Sequence, residues 1–417
     1  MSRYLRRMRK TLLCIALLGA ATPAAAAPEA AAVVAHYADL AEAIYGDSHL
    51  AAQKLQTSVD AFLAHPAPGT LADARGAWKA ARVPYLQSEG FRFANTVVDD
   101  WEPKVNAWPL DEGLIDYVAP AYGTHSDQNP LYTLDVVANA KLRVGAKMID
   151  ASTIDVTLLR RLQEAEGVQT NVSTGFHAIE FLLWGQNLKG LSGGAGERPA
   201  SDYDVANCTH GNCARRAAYL KTAADLLAAD LAEMQADWAP GGKARAELMA
   251  KGANGGLSEM LTGLGSLTFG EMAGERMKLG LMLHDPEEQQ DCFSNNTHNS
   301  HFYDEQGIEG IWRGRYVRGD GTVLEGASLR DYVTATAPQA AARMEDGIAG
   351  AKAAIGRIKA AADGGQLAYS QMIAANRPEG NKMIQDAMDA LVAQTRAIEG
   401  VAATLHLEVA SNRSDRH

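Results

Sequence analysis

His177 and Glu180 stand three residues apart in the run Thr174-Gly175-Phe176-His177-Ala178-Ile179-Glu180-Phe181-Leu182-Leu183-Trp184-Gly185. On a helix that spacing sends both side chains off one face. Ser173 or Thr174 can cap the start of the helix and Gly185 can stop it. Its other residues are apolar on every side, and a helix apolar all round is buried. A buried imidazole and a buried carboxylate are costly without partners. Two arrangements meet that cost. The pair can satisfy itself or a neighbouring helix, or it can hold a metal ion or a ligand. A metal shell needs further donors, and Glu89 and Glu112 are the candidates. Such a nitrogen and oxygen set suits a divalent or ferric ion, iron or zinc. It suits copper(I) less, because no thiolate or Met cluster joins it.

Other residues can shape such a site. Trp78, Arg82, Tyr85, Glu89 and Arg92 follow one another at spacings of four, three, four and three, a seam that is charged at three of its five positions. A solvated face is one reading, and a polar cleft is the other, since two aromatics on the line are expensive to leave in water. Asp111 and Glu112 fit a first helical turn, and Glu112 and Asp116 are like charges one turn apart, a repulsion that a cation or an Arg between them would reverse. Arg92, Arg198 and Arg276 can hold an anionic co-ligand or neutralise the carboxylates. The polar loop from Asp291 to His298 leads to His301, Asp304 and Glu305.

The positioning elements are read as helices. The chain has 417 residues, is 47% hydrophobic and only 6% aromatic, and has frequent Ala runs. Pro28 to Ala64 reads as two helices broken at Gly46-Asp47-Ser48, and a longer helix runs from Leu71 to Val98. Helical fragments fill 131 to 166. A loop rich in Gly and Ser follows the His177 helix. Helices are then expected at 214–238, 257–283, 325–362 and 380–407. Strand signals are few, although residues near 314–324 can form a small hairpin. The expected fold is all-α, two tandem helical-bundle halves with irregular connecting loops. The expected divisions are a leader over 1–27, an N-terminal bundle over 28–200 that carries the His-x-x-Glu pair, and a C-terminal bundle over 201–417.

Residues 1–27 have the basic, apolar and small-residue succession of a secretory signal. The formal charge of the whole chain is −11. Removing Arg3, Arg6, Arg7, Arg9 and Lys10 with the leader leaves about −16, which argues against nucleic acid as a partner. No later stretch is long and apolar enough to span a bilayer. An exported protein of the periplasm or cell envelope is expected. In an oxidising compartment Cys208 and Cys213 would form a disulfide, and the rival reading is a metal knuckle with His210. Cys292 is left over.

Four blocks in order resemble the imelysin family. They are Gly175-x-His177-x-x-Glu180, Trp108-Pro109-x-Asp111-Glu112-Gly113-x-Ile115-Asp116-Tyr117, Gly196-x-Arg198-Pro199-x-x-Asp202-Tyr203 and Cys292-Phe293-Ser294-x-Asn296-Thr297-His298. The last block departs from the family pattern, since Asn295 stands where Asp is expected. It adds Ser294, Asn296 and His298 to the candidate ligand-binding residues, beside Arg92, Asp111, Asp116, Arg198 and Arg276. The resemblance implies two helical halves with a site where they meet, a cell-envelope location and a link to iron supply. An outer-membrane or other envelope transport partner would go with that role. The family also carries a metallopeptidase label. A zinc peptidase needs three protein ligands, an open position with water, and a general base. One His and one Glu three apart supply part of that, so a metal-binding role is the favoured reading and a peptidase the alternative. A third reading is a metal-free interaction or scaffold protein whose polar seam joins the two bundles. The oligomeric state stays open.

Overall fold

The computed structural model describes residues 27–409, so the expected leader lies almost wholly outside the described residues. Among the described residues the fold is all-α apart from two small hairpins. One 35-residue helix, Ala30–Ala64, forms its longest element. Tyr37, Leu40, Ile44, Leu55, Val59 and Phe62 give this helix a buried stripe. That stripe packs on the helices Pro68–Leu86 and Cys213–Trp238.

The expected break at Gly46-Asp47-Ser48 is absent, and the helix runs through it. Ser48 turns its hydroxyl back onto the Ile44 carbonyl (2.9 Å). Asp47 accepts from the Tyr316 hydroxyl (3.0 Å), Arg318 Nη2 (2.8 Å) and the Gly319 N–H (2.9 Å). These polar residues therefore dock the second hairpin instead of ending a helix.

The expected helix from Leu71 to Val98 ends early, at Leu86. Pro84 lies in its last turn and lacks the N–H that continues a helix. A single 3-10 turn, Glu89–Phe91, follows, then Ala94 at φ 67° and a short helix, Thr96–Trp101. Trp78, Arg82 and Tyr85 keep their shared buried face, whereas Glu89 and Arg92 leave the helix line.

The region read as helical fragments contains a hairpin, Lys141–Val144 paired antiparallel with Lys147–Asp150. Leu142 faces Ile149 across it, and both are buried. Gly145, at φ 55°, sits in its two-residue turn. The expected hairpin is also present, as Arg315–Val317 with Val323–Glu325.

In the C-terminal part the expected helix at 257–283 is Gly252–Gly265, a π-helical stretch Ser266–Met277 and a short helix Lys278–Leu283. The expected helix at 325–362 is two, Leu329–Thr336 and Pro338–Asp363, with Pro338 opening the second. Pro338–Asp363 packs on Pro378–Thr404 and on Thr297–Arg313. The helix Thr297–Arg313 in turn crosses onto Pro68–Leu86, and Gly175–Trp184 lies on Cys213–Trp238. Helices from both sides of residue 200 thus share one continuous apolar core. Among the described residues no helix is long and apolar enough to cross a membrane.

Candidate metal centre

The helix Gly175–Trp184 is buried along its whole length. Its first residue has φ +82°, and a Cβ there would lie 2.4 Å from the Val105 carbonyl oxygen. Only glycine fits both the backbone angle and the contact, which gives the Gly of Gly-x-His-x-x-Glu a structural reason. No side chain caps this helix. Instead Gln163 Oε1 accepts from the N–H groups of Ser173 (2.9 Å) and Thr174 (3.2 Å). Gly185 ends the helix at φ 67°.

His177 Nδ1 lies 3.1 Å from Glu180 Oε2 and 3.8 Å from Asp291 Oδ1. The ligand atoms of these three buried residues all lie within 4.8 Å of one another. Two donors bound tetrahedrally at about 2.1 Å to one ion stand about 3.4 Å apart, so the spacing suits a small cation. Asp291 comes from the loop before the helix Thr297–Arg313. Its Oδ1 accepts from Arg82 Nη2 (2.9 Å), and its Oδ2 accepts from Ser300 Oγ (2.5 Å) and Asn296 Nδ2 (3.3 Å). The Ser294 N–H donates to Glu180 Oε1 (2.8 Å).

The charge states follow from burial and from Arg82. Burial, with the Arg82 guanidinium, lowers His177 to about 3, so the imidazole is neutral and in its ligand form. Burial and the neighbouring Asp291 push Glu180 well above the carboxylate range. Burial also pushes Asp291 up, but Arg82, with the hydrogen bonds from Ser300 and Asn296, outweighs it, and Asp291 stays below its ordinary value. Those directions put the proton on Glu180 beside a neutral His177, with Oε2 and Nδ1 at hydrogen-bond distance next to the Asp291–Arg82 ion pair. A metal ion would take the place of that proton. Two features weigh against an ion. Arg82 is a fixed positive charge on the same Asp291 oxygen, and His177 Nε2 is buried with no partner among the described residues, where metal-binding imidazoles usually donate to a second group.

Arg82 extends the cluster into a longer seam. Its Nη1 donates to Asn106 Oδ1 (2.6 Å), and Asn106 Nδ2 donates to Glu89 Oε1 (3.3 Å). Arg276 donates from Nη2 to Glu89 Oε2 (2.8 Å) and from Nη1 to Asp304 Oδ2 (3.0 Å). Burial pushes Glu89 up, yet Arg276 and Arg92 hold it below its ordinary value. It is an ion-pair partner three hydrogen bonds from Asp291, through Arg82 and Asn106, outside the donor cluster. Arg92 binds Asp99 (3.1 Å), Glu102 (3.7 Å) and Glu271 (3.6 Å).

The remaining expected residues are scattered. Glu112 does not join His177. Burial and Glu287 push its carboxyl up to about 7, and its hydrogen-bond neighbours are Gln186 and Tyr122. Asp111 accepts from Asn129 (2.5 Å) and Thr170 (2.6 Å), bracing a loop. Asp116 lies between Arg198 and Arg216, 2.6 Å from each. His298 faces Asp363 (3.0 Å) instead of the cluster. Cys208 and Cys213 are disulfide-bonded with Cα atoms 5.9 Å apart, and Cys292 is free. Asp291 and Arg82 are the site residues that sequence reasoning passed over. Asp291 stands one residue before the fourth motif block, and Arg82 lies on the Trp78 line.

The family profile described as imelysin matches residues 41–398. Among solved structures the chain is similar to an iron-regulated protein A precursor from Parabacteroides distasonis. The TM-score is 0.65 at 18% identity, covering 91% of this chain and 96% of that one. No curated protein matches.

Proposed function

The chain belongs to the imelysin family, and from that footing we propose that it is an exported metal-binding protein serving iron acquisition. The observation that carries this reading is the convergence of His177, Glu180 and Asp291 at the junction of the helix Gly175–Trp184 with the loop before Thr297–Arg313. One imidazole and two carboxylates form a hard donor set that suits iron or zinc. The similarity to an iron-regulated protein A precursor supports an iron context. The signal-like residues 1–27 support export to the periplasm or envelope, where a transport partner would hand iron on.

Within this reading His177 supplies a neutral nitrogen, Glu180 gives up its proton, and Asp291 keeps its charge because Arg82 holds it. Ser294 fixes Glu180 through its backbone N–H, and Ser300 and Asn296 fix Asp291. An ion bound there gains electrostatic stabilisation in a dry, preorganised shell. The peptidase alternative needs room for a peptide and a water at the metal. Glu180 and the His177 side chain have no exposed surface, which favours binding over cleavage. The metal-free scaffold reading draws on Arg82, whose charge already answers Asp291.

The test is radioactive iron uptake by iron-limited cells lacking this gene. Wild-type protein restores uptake and the His177→Ala variant does not. Equal restoration by both refutes the acquisition role.

A further inference from the structure

The Gly175–Trp184 helix ends against a second feature. A cavity of about 380 Å³ lies beyond Trp184 and Gly185, with Tyr117, Leu188, Arg198 and His210 in its lining. That volume is in the range of small-molecule pockets. His177, Glu180 and Asp291 are not part of it.

Arg198 is only 4% exposed. Its Nη1 donates to Asp116 Oδ2 (2.6 Å) and Asp202 Oδ2 (3.2 Å). The guanidinium lies over the rings of Tyr117 (4.8 Å) and Phe181 (5.3 Å). Its Nε and Nη2 are buried and have no partner among the described residues. Those two N–H groups form one edge of the guanidinium, parallel donors that match the two oxygens of a carboxylate. Gly185, which also lines the cavity, borders these atoms: a Cβ there would stand 3.5 Å from Nε and 3.8 Å from Nη2. Leaving two charged donors dry and unpaired is costly.

Neighbouring acceptors do not answer that edge. Asp116 is shared with Arg216, and Asp202 also accepts from the Tyr117 hydroxyl (2.7 Å) and Thr209 Oγ1 (2.7 Å). Glu197 is taken by Lys189 (2.7 Å). At the helix end the Leu183 carbonyl accepts from Arg75 (2.8 Å), and the Trp184 carbonyl accepts from the Arg198 backbone N–H (2.8 Å).

We propose that the Nε and Nη2 edge of Arg198 anchors a small-molecule site that takes an organic carboxylate with an apolar body. The carboxylate receives the paired donors, and the body lies against Trp184, Tyr117 and Leu188. Inorganic phosphate shares the anionic chemistry but has no apolar part to cover these walls and leaves oxygens unpaired beside them.

The test uses the full chain and calorimetric titration with benzoate, benzamide and inorganic phosphate. Benzoate binds saturably, with benzamide and phosphate each at least about tenfold weaker. Arg198→Lys keeps the charge toward Asp116 but loses the fork, and weakens benzoate by about tenfold or more. Leu188 is 75% exposed, so Leu188→Asp preserves folding and brings a negative charge to the rim, weakening benzoate about threefold or more. It decides the matter if the lysine variant does not fold. Absence of saturable benzoate binding, equal binding of benzamide, tighter binding of phosphate, or unchanged affinity in Leu188→Asp overturns the proposal.

Discussion

Arg82 and Asp291 meet at 2.9 Å with neither side chain more than 1% exposed. One comes from the helix Pro68–Leu86 and the other from the loop ahead of Thr297–Arg313, so their contact ties two distant parts of the chain beside His177. Removing one partner of a buried pair strands the other charge, at about 3–5 kcal/mol. Arg82→Met is therefore expected to lose stability on that scale in urea unfolding. A loss below about 1 kcal/mol would mean that Asp291 finds another partner or is protonated.

Gly175→Ala tests the backbone requirement of the motif. The site has φ +82°, and the new methyl would stand 2.4 Å from a carbonyl oxygen. A loss of about 2–4 kcal/mol is expected, together with displacement of His177. A variant as stable as the parent would show that the helix start relaxes freely.

Glu112 sets a pH dependence. Burial raises its carboxyl from 4.5 to about 7. Between those values the folded chain keeps a proton that the unfolded chain has lost, so stability falls as pH rises through that window and stays lower above it. The full loss is on the order of 3 kcal/mol. Glu112→Gln should thus be stabilising in urea unfolding at pH 8 and nearly neutral at pH 4.5. The same shift at both pH values would assign the effect to packing instead.

Much of this was legible in the sequence, and the failures have physical causes. The His177 helix, its burial and its glycine stop follow from apolar residues on all faces. Local break signals misled where tertiary contacts use them, as Asp47 does with Tyr316 and Arg318. Pro84 was the sign that Glu89 leaves the helix line, and Gly145 between alternating apolar residues was the sign of the first hairpin. Asp291 was harder to find. Its role depends on a loop folding back to a helix more than a hundred positions earlier, and no local spacing encodes that.

Cys208 and Cys213 close a short loop beside His210. Chain-entropy reasoning gives such a loop about 2 kcal/mol. Replacing both with Ser should reduce thermal stability by that order and leave the His177 cluster intact, as near-ultraviolet circular dichroism would report. Loss of the whole fold would give the disulfide a larger role than its loop length supports.

The most direct test of the central claim is elemental analysis of the chain from residue 28, purified without chelator and reconstituted with ferrous iron or zinc, beside His177→Ala and Asp291→Asn. The account predicts about one ion per chain in the parent protein, and little in either variant while far-ultraviolet circular dichroism stays unchanged. Metal-free parent protein after reconstitution, or equal metal in the parent and both variants, would contradict it and leave the cluster as a structural seam.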